Sequence, residues 1–310
     1  MDALSEALAA MRLGNANSKR VKESGAWGMR FPAYRGSGFH VVLSGEGWLL
    51  TRDAPPRRLQ PGDVAVVPAG AEHALSSDVR PLEELPMAEM GPGEPAPGAA
   101  DFEFLCGGYQ LEHGRVHHYL ASLPGAIVIS PDYDHDPQIR DLTRLLGANT
   151  SPVRSGSTGG PEPGAAATRS ALFDLLLIHL LRQWLAHHDR DSQSPGSPQE
   201  WAHVTDPAIA DVLRVVHDDP LKVWTVSDLG AVAGFSRTEF TRRFSSQVGT
   251  APRSYLISLR LLHGARMLRE TTAPLATVAH QVGYANEFAF GAAFRREFGI
   301  SPGRFRATTS

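Results

Sequence analysis

The chain has 310 residues, of which 42% are hydrophobic and 20% charged, with a net charge of −3; this is the make-up of a soluble globular protein of one to three domains with enough apolar side chains for sizeable cores. Its one cysteine, Cys106, excludes an internal disulfide and suits the cytoplasm. No apolar run reaches the roughly 18 residues of a membrane span, and the start MDALSEALAAMRLG lacks the basic-then-apolar pattern of a signal peptide, so a cytoplasmic protein with no membrane partner is expected.

The first signals along the chain are β. Phe39–Leu50 reads as two strands about a Gly45-Glu46-Gly47 turn, Asp63–Leu75 as a Val-rich strand, a turn at Pro68–Gly70 and a further strand, and Phe102–Leu111 as another. Short strands joined by Gly/Pro turns predict a small barrel or sandwich. Within them GDVAVVPAGAEHALSS places Gly62, Pro68, Gly70 and His73 at the spacing of the second cupin motif, so this half resembles a cupin. The first cupin motif would supply a His pair and a Glu before Gly45; Gly38 stands at the Glu position and Pro32–Tyr34 near the His pair, so the usual metal triad is missing.

Other donors remain. His40 shares the inward face of the missing Glu at period two. With His73, Cys106 and His113 it could form a closed tetrahedral site for Zn2+ or a similar divalent metal. The alternatives are scattered core histidines with a buried thiol, or a Cys106 that reports oxidants. Glu89–Asp101, rich in Pro and Gly, reads as a long loop inside this domain.

The period then changes. Pro137–Leu146 and Ala167–His187 read as helices, the second apolar on more than one side through Leu172, Leu175, Leu176, Ile178, Leu180 and Leu181. Such a helix packs on the barrel or on a second subunit. Ala148–Gly164 and Arg190–Glu200 have linker composition, and the second marks a domain boundary. Charge divides there too. Leu221–Ser310 carries 12 Lys/Arg and 5 Asp/Glu, a balance of +7, against −10 for the rest, which points one end toward a polyanion.

From Asp206 the chain is helical and repeats itself. Thr225 with Asp228, and Ser236 with Glu239, have capping-box spacing. Phe240, Phe244 and Val248 form one buried face, Gly249 stops the helix and Pro252 forbids its continuation. Fifty residues on, Phe290, Phe294, Gly299 and Pro302 repeat Phe240, Phe244, Gly249 and Pro252. Two short helices about a Gly-containing turn make a helix-turn-helix, so this segment predicts two of them, at about 225–248 and 275–298. Arg253–Glu270 connects them as a longer helix, with Leu256, Leu259 and Leu262 on one side.

At 100° per residue Thr238, Arg242 and Ser245 project outward from the first reading helix and Thr241 lies laterally. Arg242 suits a guanine edge and a Thr methyl a thymine methyl. Arg237 and Arg243 suit phosphates, and Glu239 is assigned to capping. The second reading helix has Gly291 and Ala292 where the first has Thr241 and Arg242. Its outward side chains are Asn286, Glu287, Phe288, Arg295 and Arg296. Arg295 and Arg296 suit phosphate, with Phe288 against thymine methyls.

Trp224–Arg306, ending GYANEFAFGAAFRREFGISPGRFR, resembles the DNA-binding domain of the AraC/XylS transcription regulators without a gap. The resemblance implies base reading at Thr238, Thr241 and Arg242, with Asn286, Glu287 and Phe288 as the candidates in the second unit. It further implies an α+β chain of two domains: a cupin-like β-barrel with C-terminal dimerisation helices over 1–190, a flexible linker at 191–204, and an all-α domain at 205–310 with two helix-turn-helix units joined by a linker helix. The expected function is sequence-specific DNA binding altered by a small molecule, metal or oxidant sensed in the N-terminal domain. Double-stranded DNA, a second copy of the chain and a small-molecule effector are its partners, with RNA polymerase a further candidate. The alternative is a cupin-type metalloenzyme with an appended DNA-binding module; the missing metal triad and the lack of a paired-carboxylate motif stand against it.

Overall fold

The computed structural model describes residues 3–11, 15–88, 100–111, 116–131, 137–149, 164–191, 204, 206–220 and 222–309. The chain gathers into two compact units, each discontinuous in sequence. One holds residues 14–110 and 123–184, the other residues 1–13, 111–122 and 185–310. Most of the linker expected at 191–204 and of the loops expected at 89–101 and 148–164 lies outside the described residues, as does His113.

The first unit is a sandwich of two antiparallel sheets. Strands β1 (Asn15–Glu23), β8 (Phe102–Gln110), β3 (Gly36–Ser44), β6 (Val64–Val67) and β9 (Ile127–Ile129) form one in that order; β2 (Gly28–Phe31), β7 (His73–Ser76), β4 (Gly47–Thr51) and β5 (Arg57–Leu59) form the other. Among the described residues the sheets do not join into the closed barrel expected from the cupin pattern. The turns explain this. β3 and β4 flank the expected Gly45–Gly47 turn, yet they lie in opposite sheets, as do β6 and β7. Gly45 has φ +77°, and a side chain there would run into the Asp101 carbonyl, so the chain is steered across the sandwich rather than folded back on itself.

Trp27, Phe31, Val42, Leu49, Leu59, Ala65, Leu75, Phe102 and Phe104 fill the space between the sheets. Strand β8 pairs with both β1 and β3 without interruption through Gly107 and Gly108. Phe102, Phe104 and Cys106 therefore share the inner face, and Leu105, Gly107 and Tyr109 the outer one. A β-bulge lies instead in β3, between Val42 and Ser44. The outer face is covered by helix α4 (Ala165–Asp191). Phe173 meets Phe39 edge-on with centroids 5.0 Å apart, and the Tyr109 hydroxyl donates to Asp174 at 2.8 Å. Gly107 is required here: a Cβ would sit 2.7 Å from the Phe39 ring and 2.9 Å from Phe173. Helix α3 (Pro137–Asn149) belongs to the same unit and buries Ile139, Leu142, Thr143 and Leu146.

The second unit is helical. Its elements are α1 (Ala3–Met11), α2 (His118–Ala121), α5 (Pro207–Asp218), α6 (Val226–Val232), α7 (Arg237–Val248), α8 (Pro252–Glu270), α9 (Leu275–Gln281), α10 (Glu287–Phe298) and α11 (Pro302–Thr309). Pro302 ends α10 as expected and also opens α11, since proline is tolerated in a first helical turn. The connecting helix α8 is apolar on more than one side. Tyr255, Leu256 and Leu259 are buried, and so are Leu261, Gly264, Ala265 and Leu268, whereas Leu262 is only half-buried. Gly264 seats Phe290: a Cβ would lie 2.8 Å from that ring.

Candidate nucleic-acid interface and the buried histidine pair

Helix α6 begins in a complete capping box, in which Thr225 accepts from the Asp228 amide and Asp228 from the Thr225 amide. After Gly234 at φ +70° the chain enters α7, where Ser236 caps the Glu239 amide, and Gly249 at φ +73° ends the helix. The second copy repeats this order through Gly283 at φ +81°, α10 and Gly299 at φ +78°. The copies differ at both helix starts. Pro274 opens α9 with no side-chain cap, and Asn286 caps α10 by accepting from the Ala289 amide at 2.8 Å. The turns also differ in length. Phe235 bonds back to Gly230 and the next residue, Ser236, caps α7; Tyr284 bonds back to Ala279, and Ala285 intervenes before Asn286. The first helices thus repeat at 49 residues and the second helices at 50.

On α7, Phe240, Phe244 and Val248 are buried and Thr238, Arg237 and Arg242 exposed, as the helical period requires. Three side chains are more engaged than the sequence suggests. The Thr241 hydroxyl donates to the Arg237 carbonyl at 2.8 Å, so its hydrogen-bonding capacity is partly spent on its own helix. Glu239 does not close a second capping box. Its carboxylate accepts from Arg242 Nε at 3.0 Å and from Arg243 Nε at 2.6 Å, and these bonds hold it down to about 2. Arg243 also donates to Asp206 at 3.1 Å and lies over the Phe235 ring. It ties the start of α5 to α7, and this leaves it less free for phosphate than Arg237. Arg242 stays mostly exposed, braced from one side by Glu239.

On α10, Phe288 is 80% exposed, and Arg295 and Arg296 are exposed in the last turn. Glu287 is half-buried in the first turn, where a carboxylate complements the helix dipole. A side chain at Gly291 would meet nothing within 4 Å, and Ala292 is exposed. The capping role of Asn286 was readable in principle, because Asn directly before a helical run is a favoured N-cap; it leaves the amide NH2 as the group available to a ligand.

In the sandwich the structure brings His40, His73 and Cys106 to the inner face. Cys106 pairs with His40 across β3 and β8. His73 Nδ1 lies 2.8 Å from the Ala71 carbonyl and must donate, so its Nε2 accepts from His40 Nε2 at 2.7 Å. His40 Nδ1 is then a bare buried acceptor, with no partner among the described residues. Phe31 stacks on His73, and burial holds His73 down to about 4 and His40 well below its ordinary value.

A cupin fold raises the question of a metal, and the described residues do not fit one. The two Nε2 atoms bond to each other, no three His, Cys, Asp or Glu side chains converge, and burial pushes the Cys106 thiol up to about 12, away from thiolate. The space of the missing Glu is also filled. A side chain at Gly38 would collide with the Tyr34 hydroxyl, whose own pKa is raised by burial and by Cys106.

The histidine pair makes stability depend on pH. Both rings are neutral when folded but take up protons near 6.5 when unfolded. The unfolded chain therefore binds more protons below about 6.5, and stability falls as pH drops from there toward about 4. Each such ring contributes up to ~1.4 kcal/mol per pH unit in that window. Urea unfolding between pH 4.5 and 7 should show this slope, and His40→Leu should flatten it; an unchanged slope would mean the buried pair does not set it.

Comparison with known proteins places these features. A cupin family model matches residues 2–186, and a helix-turn-helix domain model matches residues 229–308. An AraC-like transcription regulator of Streptomyces antibioticus is 30% identical over 315 residues, covering 99% of this chain and 98% of that one. The HTH-type transcriptional regulator MtrA of Neisseria gonorrhoeae is 27% identical over 99% of this chain and 98% of its own. Among solved structures, the DNA-binding domain of AdpA, a global transcriptional factor crystallised with a target DNA, is 34% identical over 33% of this chain and 91% of that one, with a TM-score of 0.32.

Proposed function

Since the chain belongs to the AraC-like transcription regulators, we propose that its helical unit binds double-stranded DNA through two helix-turn-helix pairs, α6–α7 and α9–α10. The observation that carries this is the duplicated pair itself. Two reading helices start on side-chain caps, end on left-handed glycines and bury a Phe ladder, with exposed cations on the opposite side. A packed connecting helix can hold two such helices about one DNA turn apart.

On this reading α7 supplies the base contacts, with Arg242 on a guanine edge and Thr238 and Thr241 beside it, and Arg237 on a phosphate. Helix α10 grips backbone through Arg295 and Arg296, sets Phe288 against thymine methyls, and offers the Asn286 amide. The DNA-binding domain would span 205–310 and the sensor domain 1–190. The sensor would pair two copies through α3 and α4, where Leu145 and Leu175 are exposed. An effector that favours one arrangement of the pair shifts its affinity for paired DNA sites. This is a regulator's role rather than an enzyme's, and RNA polymerase would be its further partner. No described helix is long and apolar enough to cross a membrane, consistent with work in the cytoplasm.

The test is an electrophoretic shift and footprint of the full chain on the DNA upstream of its own gene. We expect protection of two segments about 10–10.5 base pairs apart per protomer. Failure to bind any DNA at low salt would overturn the proposal.

A further inference from the structure

A groove of about 630 Å³ runs along α3 in the sandwich unit, lined on one side by Arg140, Thr143, Arg144, Gly147 and Ala148. The other wall comes from strands and turns: Arg20, Val42, Leu43, Pro61, Gly62 and Glu103. The helical residues follow the spacing i, i+3, i+4, i+7, so one stripe of α3 faces the groove. Leu43 stands at the β-bulge between Val42 and Ser44, and a bulge re-aims a side chain out of the regular pleat.

The charges in this groove do not balance. Arg20 is ion-paired with Glu103. Arg140 and Arg144 are exposed one helical turn apart and make no ion pair among the described residues. Like charges at i, i+4 are unfavourable in a helix, so this pair costs stability unless an anion joins it. The Thr143 hydroxyl is spent on the Ile139 carbonyl at 2.8 Å, which leaves the guanidiniums as the polar recognition groups. Leu43, Pro61 and Ala148 supply an apolar wall beside them. A guanidinium fork suits a planar or tetrahedral oxyanion, and the volume suits a small molecule.

We propose that this groove binds a small amphiphilic oxyanion, its carboxylate or phosphate head between Arg140 and Arg144 and its apolar body on the Leu43–Pro61 wall. The site lies wholly within the sandwich unit and is separate from the histidine pair, and it stands whether or not the DNA reading holds. Gly147 supplies an independent handle. Among the described residues a Cβ there would meet only Leu105, at 3.9 Å, so Gly147→Leu is accommodated, and at a position that lines the groove it narrows it.

Titration calorimetry of the full chain reads binding directly, with octanoate, octyl phosphate and neutral octan-1-ol as probes below their aggregation limits. We expect saturable binding of octanoate or octyl phosphate; whichever binds identifies the head group. The affinity should fall roughly tenfold or more in the Arg140→Gln/Arg144→Gln variant, and binding should be lost in Gly147→Leu, with circular dichroism unchanged in both. No saturable binding of either anion would overturn the proposal. So would octan-1-ol binding as tightly as the anions, or anion binding that neither variant weakens.

Discussion

Phe294→Ala is expected to cost the helical unit about 3–5 kcal/mol, while Phe288→Ala in the same helix should change stability by no more than about 0.5 kcal/mol. Phe294 is fully buried, and its ring packs on Phe290, Phe298 and Phe305 at centroid distances of 5.4, 4.3 and 5.3 Å. Removing it strips all of these rings of a neighbour at once and leaves a cavity where α8, α10 and α11 meet. Phe288 is 80% exposed and has little burial to lose. Urea unfolding of the two full-length variants, followed by circular dichroism, separates them. Equal midpoints would contradict the placement of one ring inside and the other outside. Phe288→Ala should instead show its effect on DNA affinity.

Arg242→Ala is expected to relax base discrimination by about 1–3 kcal/mol at one position of the operator, roughly a 5- to 150-fold loss of preference. The bond that Arg242 donates to Glu239 fixes the Arg242 side chain along one edge of α7 without burying it. A preorganised guanidinium loses less freedom when it meets a guanine. Arg237→Ala serves as the contrast. Without its guanidinium on a phosphate, every sequence should be bound more weakly by a similar factor, and the slope of affinity against salt should fall by about one. Dissociation constants over a series of single-base operator variants, at two salt concentrations, distinguish the two behaviours. If Arg242→Ala weakened all operators equally, its role would be positioning rather than reading.

The helical unit was more legible in the sequence than the sandwich, for physical reasons. The Phe240/Phe244 and Phe290/Phe294 ladders and the glycines that end them are local signals, each written within one or two helical turns. The sandwich depends on pairings far apart in sequence. Strand β1, NANSKRVKE, has no apolar alternation, because it is an edge strand guarded by charge. Nothing in the local pattern told a turn within a sheet from one between sheets, so the Gly45–Gly47 turn suggested a barrel. The same distinction runs through the site. That Arg242 faces outward follows from a period of 3.6. That Arg243 is held by Asp206 does not, since the partner lies 37 residues away. The inward direction of His40 was readable from strand parity, but its bond to His73 required knowing how β3 and β7 face each other across the core.

The empty space above Gly291 bears on how such a molecule changes over time. Helix α10 must keep its buried face, and here Phe290, Ala293, Phe294 and Phe298 hold that face in place. Gly291 and Ala292 carry none of that burden. A mutation at either would meet no neighbour that must first make way, and at 291 most replacements would also favour the helix over glycine. If α10 reads DNA as proposed, new operator preferences can be tried at these two codons without first compromising folding. This half of the duplicated domain is an adaptable one, from which a lineage could acquire new target genes while the α7 half retains the old ones.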